Sequence, residues 1–220
     1  MDMLKSLRDF WVVIYEYILP LRKNFDVVKN LSQKDLLNLP KAETVQNMDW
    51  VHPLFKYKDR RVKAIIWELK YKDNTLPLET IGKLIFDEIV ALASDVLIFD
   101  AEAKFLLIPI PITNTKRVER GYNQSEYIAK AVLENDSEHI LLYAPQWFSK
   151  IKETLPQSHS HSKEERMKNL NDSFEANKNV EGKYVILIDD VVTTGTTLLE
   201  AKKTLDLAGV KGVYAFTIAH

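Results

Sequence analysis

The clearest chemistry in this sequence sits in one stretch, Val185-Ile186-Leu187-Ile188-Asp189-Asp190-Val191-Val192-Thr193-Thr194-Gly195-Thr196-Thr197. Its apolar half reads as a buried strand that fixes whatever follows. Two adjacent carboxylates, Asp189 and Asp190, then stand at the carboxyl end, where α/β sheets bind ligands. Such a pair can accept hydrogen bonds from neighbouring sugar hydroxyls or face a magnesium ion. Thr193 to Thr197 opens a helix whose unpaired N–H groups and dipole favour a phosphate. Gly195 lets a ligand approach the backbone closely, and the threonine hydroxyls add donors. The stretch therefore reads as ribose recognition followed by 5′-phosphate recognition. The same order of residues would also serve a plain capped strand-to-helix junction. The glycine fingerprints of nucleoside triphosphatases and of dinucleotide-binding folds are both missing.

Two weaker constellations stand apart from it. Lys56 to Lys72 carries seven basic residues and two acidic ones, with Tyr57, Trp67 and Tyr71 interleaved. Cations for phosphates and rings for stacking are what single-stranded nucleic acid needs, although a solvated helix with inward rings has the same composition. His159 and His161 flank Ser160 in a polar segment without an acidic or Cys partner beside them, which makes a poor metal site.

The elements that must position these residues follow from periodicity. Met3 to Leu19 reads as an amphipathic helix, and Ser32 can cap a short helix over Gln33–Leu39 that stops before Pro40. Trp50 to Tyr57 includes a short strand. Val62, Ile65, Ile66 and Leu69 mark one face of a helix over Arg61–Lys70, and Ile81, Leu84, Ile85, Ile89 and Leu92 mark another over Leu78–Leu92. Phe105 to Pro111 is a continuous apolar run ending in prolines, which suits a strand buried on both faces. A polar loop is expected from Thr113 to Gly121, then a helix over Gln124–Leu133 and a short strand over Ile140–Tyr143. Ser149 to Arg166 is polar, contains Pro156 and reads as a long mobile loop. Lys183 to Ile188 is the second strong strand. A helix over Thr196–Ala208 closes at Gly209, and Gly212 to Ala219 forms a last strand. Strand and helix alternate through residues 105–219, which predicts an α/β fold with a mostly parallel central sheet flanked by helices. Residues 1–50 read as a helical N-terminal appendage and residues 51–220 as the ligand-binding domain.

Composition narrows the class. The 220 residues are 46% hydrophobic and 28% charged, with a net charge of −1, so bulk charge gives no sign of a nucleic-acid partner. The sequence has no Cys, which excludes disulfides, thiolate metal sites and a cysteine nucleophile, and fits a cytoplasmic location. The longest apolar-rich run, Phe10 to Leu19, is interrupted by Glu16, so neither a membrane span nor an export signal is expected.

The Val185–Thr197 pattern resembles the signature of type I phosphoribosyltransferases, which bind phosphoribosyl pyrophosphate. Leu107-Ile108-Pro109-Ile110-Pro111, then Arg117 and Arg120-Gly121-Tyr122-Asn123-Gln124, resemble the corresponding region of the ComF family. Gln157, Glu165-Arg166, Asn169-Leu170 and Ser173-Phe174 follow that family's order, and Tyr57-Lys58-Asp59 with Leu69-Lys70-Tyr71 resembles its upstream part. The resemblance covers roughly residues 50–220. It departs at the N-terminus, where many relatives carry a four-cysteine zinc ribbon that this chain lacks. The resemblance implies the type I phosphoribosyltransferase fold, with Asp189 and Asp190 on the ribose 2′- and 3′-hydroxyls and near magnesium. It implies that Thr193, Thr194, Gly195, Thr196 and Thr197 hold the 5′-phosphate. Lys116, Arg117 and Arg120 would face the pyrophosphate, and residues 149–166 would form a flap over the site. The implied reaction displaces pyrophosphate from the ribose anomeric carbon, in nucleotide metabolism or in DNA uptake by competent bacteria. A module that binds phosphoribosyl pyrophosphate or a nucleotide without catalysis, as a sensor or adaptor, is the competing expectation. Single-stranded DNA, DNA-uptake proteins and a second copy of the chain are the expected partners.

Overall fold

A computed structural model of the chain describes residues 25–69, 76–151 and 173–220. The helix expected over Met3–Leu19, the His159/His161 pair and most of the expected flap lie outside these residues.

Five parallel strands form the central sheet: β1 (Val51–Phe55), β2 (Phe105–Pro109), β3 (Leu141–Tyr143), β6 (Tyr184–Val191) and β7 (Gly212–Ala219). Their spatial order is β1-β7-β6-β2-β3. All five residues of β2 are buried, as a strand covered on both faces must be. Alternation along the strands sends side chains into two separate cores. Leu107, Ile186, Ile188, Phe216 and Ile218 face one core, and Leu106, Ile108, Val185, Leu187, Val213 and Ala215 face the other.

Helices α3 (Arg60–Glu68), α4 (Leu76–Phe99) and α6 (Gln124–Leu133) cover the first face. Helix α7 (Thr196–Leu207) covers the second with Leu198, Ala201 and Leu205, and Gly209 follows it with φ +80°. Helix α4 runs past the expected Leu92 because Ala93 and Val96 continue its apolar face. Two short helices, α1 (Phe25–Lys29) and α2 (Gln33–Leu37), precede β1, and Ser32 forms a reciprocal capping box with Asp35. Val28, Leu36 and Leu39 enter the first core while Val45 and Met48 enter the second.

Two expectations change. Thr113 to Gly121 is not a loop: Asn114–Arg120 is a helix, α5. Its signal is in the caps alone, because the Thr113 side chain accepts from the Lys116 N–H and Gly121 takes the left-handed conformation at φ +77°. Its apolar residue Val118 is 85% exposed, so no apolar periodicity announces it. Ser149 and Lys150 likewise leave the expected loop. They lie in β4 (Phe148–Lys150), paired antiparallel with β5 (Phe174–Ala176), and the stacked Phe148 and Phe174 rings, 5.0 Å apart, hold the two strands together.

The chain passes from β2 to β3 on one side and later returns across β2 to β6 and then β7. The order reverses between β2 and β6. Open α/β sheets bind ligands at the carboxyl ends of the strands flanking such a switch point.

Candidate functional site

The carboxyl end of β6 carries the two acids. Asp189 is held by its neighbours: its Oδ1 accepts from Ser125 Oγ at 3.0 Å and from the Asp190 N–H at 3.0 Å. Burial, reinforced by the charge of Asp190, pushes the Asp189 carboxyl up to about 7, against the opposing pull of hydrogen bonds and of Lys150. Asp190 Oδ1 accepts from the Val191 N–H at 2.8 Å. Both acids are half-buried at the strand end, so they are held in place while part of each stays open to solvent.

Ser125 reaches Asp189 because the segment before it is tied to β2. Asn123 Nδ2 donates to the Ile110 carbonyl at 2.9 Å, and its Oδ1 accepts from the Ser125 N–H at 3.1 Å. That pair of bonds caps α6 and fixes its first turn against the end of β2. Tyr122 donates its hydroxyl to the Leu69 carbonyl at 2.9 Å. The Tyr122-Asn123-Gln124 segment thus positions the site and does not itself line it.

After β6 the chain turns sharply. Gly195 takes φ +71° and ψ 0° and occupies the N-cap of α7, where no side chain caps the helix. The N–H groups of the first turn therefore have no side-chain acceptor at the cap. Residues Asp189 and Val191 to Leu198 enclose a cavity of about 40 Å³ here. Thr194 and Thr196 share a hydroxyl hydrogen bond of 2.8 Å, while Thr193 and Thr197 are exposed. A Cβ on Gly195 would lie 2.5 Å from Met48 Sδ. The glycine is thus required by packing beneath the turn as well as by its backbone conformation.

On the β2 side lies a larger cavity of about 580 Å³, lined by the start of α5, by Glu126 and by β4. Arg117 reaches it and pairs with Glu126. Lys150 enters from β4. Burial pushes its ammonium down, Lys116 adds to that, and Glu200 and Asp189 act against it. The α5 helix thus brings Lys116 and Arg117 to the cavity region that the sequence assigns to cations. Arg120 ends the same helix, and its side chain lies outside the described ones. Asp189 and the Thr193–Thr197 turn share the smaller cavity. Sequence reasoning missed Ser125 and Lys150. Ser125 directly follows the quoted Arg-Gly-Tyr-Asn-Gln segment and could have been found by one residue's extension. Lys150 has no signal, because only the strand pairing of β4 turns it toward Asp189.

The acids and the threonine hydroxyls are hard oxygen donors of the kind magnesium takes. The raised proton affinity of Asp189 is the like-charge stress that a divalent cation relieves. Among the described residues no group of three or more His, Cys, Asp or Glu side chains converges on one point, so a bound ion would draw its remaining ligands from substrate and water. The residues therefore fit magnesium held jointly with a phosphorylated ligand. Among the described residues no helix is long and apolar enough to cross a membrane.

A phosphoribosyl transferase domain model matches residues 148–219, from β4 through β7. The chain is 32% identical over 115 residues to the competence protein ComFC of Bacillus subtilis, covering 52% of this chain and 44% of that protein. It is 31% identical over 120 residues to competence protein F of Haemophilus influenzae, covering 51% and 49%. It is 26% identical over 117 residues to the DNA utilization protein YhgH of Escherichia coli K12, covering 51% and 48%. The matches thus span about half the length of these relatives.

Proposed function

We propose, for a chain that is ComF-like in sequence and phosphoribosyltransferase-like in fold, that the switch-point crevice binds phosphoribosyl pyrophosphate with magnesium. Asp189 and Asp190 accept from the ribose hydroxyls, and the turn at residues 193–197 donates its N–H groups and hydroxyls to the 5′-phosphate. Lys116, Arg117 and Lys150 face the pyrophosphate in the larger cavity. Magnesium, when bound, neutralises charge on the leaving pyrophosphate. Ser125 and the Asp190 N–H keep the Asp189 carboxylate aimed while charge builds on the sugar. The basic side chains of the β2-side cavity stabilise the departing group. One observation carries the reading: an uncapped glycine turn and a half-buried acid pair share one strand end, beside a cation-lined cavity across the switch point.

Calorimetric titration with phosphoribosyl pyrophosphate and magnesium tests binding, and a pyrophosphate-release screen over nucleobases tests transfer. Saturable binding and release of pyrophosphate support a transferase. Saturable binding without release under any acceptor supports the second reading, a ribose-phosphate-binding module in DNA handling. The names of the relatives, which speak of competence and DNA utilization, favour that alternative. An exposed stripe supports single-stranded DNA as its partner. Arg60, Lys63 and Trp67 lie on the solvent face of α3, and Lys63 Nζ sits 5.7 Å from the ring centre of Tyr57. Loss of single-strand binding in a Trp67→Ala/Lys63→Ala variant would support that partner, and unchanged binding would remove it. Action in the cytoplasm belongs to the same proposal.

A further inference from the structure

A second large cavity, of about 470 Å³, lies on the opposite side of the β6 turn. It shares Val192 and Thr193 with that turn and is closed by residues 43–46, by Lys56 to Lys58 and by His220. We propose that this cavity receives the acceptor of the transfer reaction, and that it takes a planar nitrogen heterocycle bearing an anionic group. The inference rests on the reading of the switch-point crevice as a phosphoribosyl pyrophosphate site.

The sheet order supplies the first argument. The acids and the phosphate turn end β6, the central strand of five. The cation-lined cavity lies toward β2 and β3, and the second cavity toward β7 and β1. A displacement at the anomeric carbon brings the acceptor in on the face opposite the leaving group. The acceptor's ring nitrogen forms the new bond to that carbon. The bond to the pyrophosphate oxygen breaks with its electron pair, and the proton of the nitrogen passes to solvent. With pyrophosphate held on the β2 side, the entering group must come from the β7 side.

Local structure supplies the second argument, because the walls are tied to the phosphate turn. The Tyr57 N–H donates to the His220 carbonyl at 2.8 Å, the Val192 N–H to the Ala219 carbonyl at 3.0 Å, and His220 Nδ1 lies 3.1 Å from the Val192 carbonyl. Buried Val45 and Met48 pin the outer wall, Met48 directly beneath Gly195. The cavity is therefore held at a fixed offset from the phosphate.

The lining chooses the chemistry. Tyr57, 38% exposed, offers an aromatic surface for stacking, and Gln46 and Thr44 offer hydrogen bonds. Lys56 is paired with Glu43 at 2.6 Å, so Lys58 leaves the rim with surplus positive charge. A flat base carrying a carboxylate meets all three.

Three probes test this by calorimetry: ribose 5-phosphate, uridine 5′-monophosphate, and orotidine 5′-monophosphate, which adds a carboxylate to the same base. Uridine 5′-monophosphate should bind about tenfold tighter than ribose 5-phosphate, the increment of one base–ring stack. Orotidine 5′-monophosphate should gain about a further threefold from the exposed ammonium. Tyr57→Ala should erase the first increment and Lys58→Ala the second, with ribose 5-phosphate affinity unchanged in both variants. Equal affinities for all three probes in the wild type would overturn the proposal, as would variants that weaken all three alike. A wild type that fails to bind ribose 5-phosphate itself would bring down the underlying phosphate-site reading, and this proposal with it.

Discussion

At the scale of single residues, Asp189 and Gly195 make different demands. Asp189 is an acid whose proton affinity the fold raises from 3.8 to about 7. Between those values the folded chain binds a proton that the unfolded chain has lost, so this group's contribution to stability falls as pH rises through that window. Asp189→Asn removes the burden. Thermal unfolding should show the variant more stable than wild type above about pH 7 and equal to it near pH 4. A variant less stable at pH 8 would contradict the burial argument. Gly195 is an ambiguous probe of phosphate binding, because its φ of +71° and its contact with Met48 make any side chain costly to the fold itself. Gly195→Val should unfold at lower temperature with or without ligand. Thr196→Ala separates the two roles, since it removes one hydroxyl and leaves the turn. It should keep the wild-type unfolding temperature and weaken ribose 5-phosphate by about ten- to a hundredfold, the worth of one charged hydrogen bond of roughly 1.5–3 kcal/mol. A Thr196→Ala variant with wild-type affinity would remove that hydroxyl from the site. The acids, the threonines and the glycine were all legible in the sequence, because one unbroken segment carries them. Lys150 was not, since it comes to Asp189 only through tertiary pairing.

At the scale of elements, burial decided what could be read. Strands β2, β6 and β7 announce themselves as apolar runs, and α6 lies where its periodicity puts it. Helix α5 hid because it is held by caps and not by an apolar face. Thr113→Ala should therefore cost about 1 kcal/mol and loosen Lys116 and Arg117 together. Urea unfolding and hydrogen exchange across residues 114–120 measure both effects, and unchanged exchange would contradict the cap's role. The α4–α6 contact is the tighter constraint. A Cβ at Gly82 would lie 2.4 Å from the Ala131 carbonyl oxygen, so Gly82→Ala must push the two helices apart. The expected cost is about 1–3 kcal/mol, seen as a lower unfolding temperature. A stabilised Gly82→Ala variant, gaining the usual helix preference of alanine, would show that the helices do not approach so closely.

At the scale of the whole molecule, the fold class was legible and the site's architecture was not. Alternating strand and helix signals imply a parallel sheet, but strand order is set by contacts between residues far apart in sequence. That order places β6 between two cavities and so gives the motif its surroundings. The segment before β1 shows the same limit. Its sequence reads as an appendage, while Val28, Leu36, Leu39, Val45 and Met48 insert into both cores and Met48 supports the turn. The central claim is that a magnesium–phosphoribosyl pyrophosphate complex seats on the acids and turn of β6. Titration calorimetry on wild type and on Asp189→Asn/Asp190→Asn, with unfolding temperatures measured in parallel, tests it most directly. The account predicts saturable one-to-one binding by wild type and at least about tenfold weaker binding by a fully folded double variant. Equal dissociation constants for the two proteins, or no binding by wild type, would contradict it.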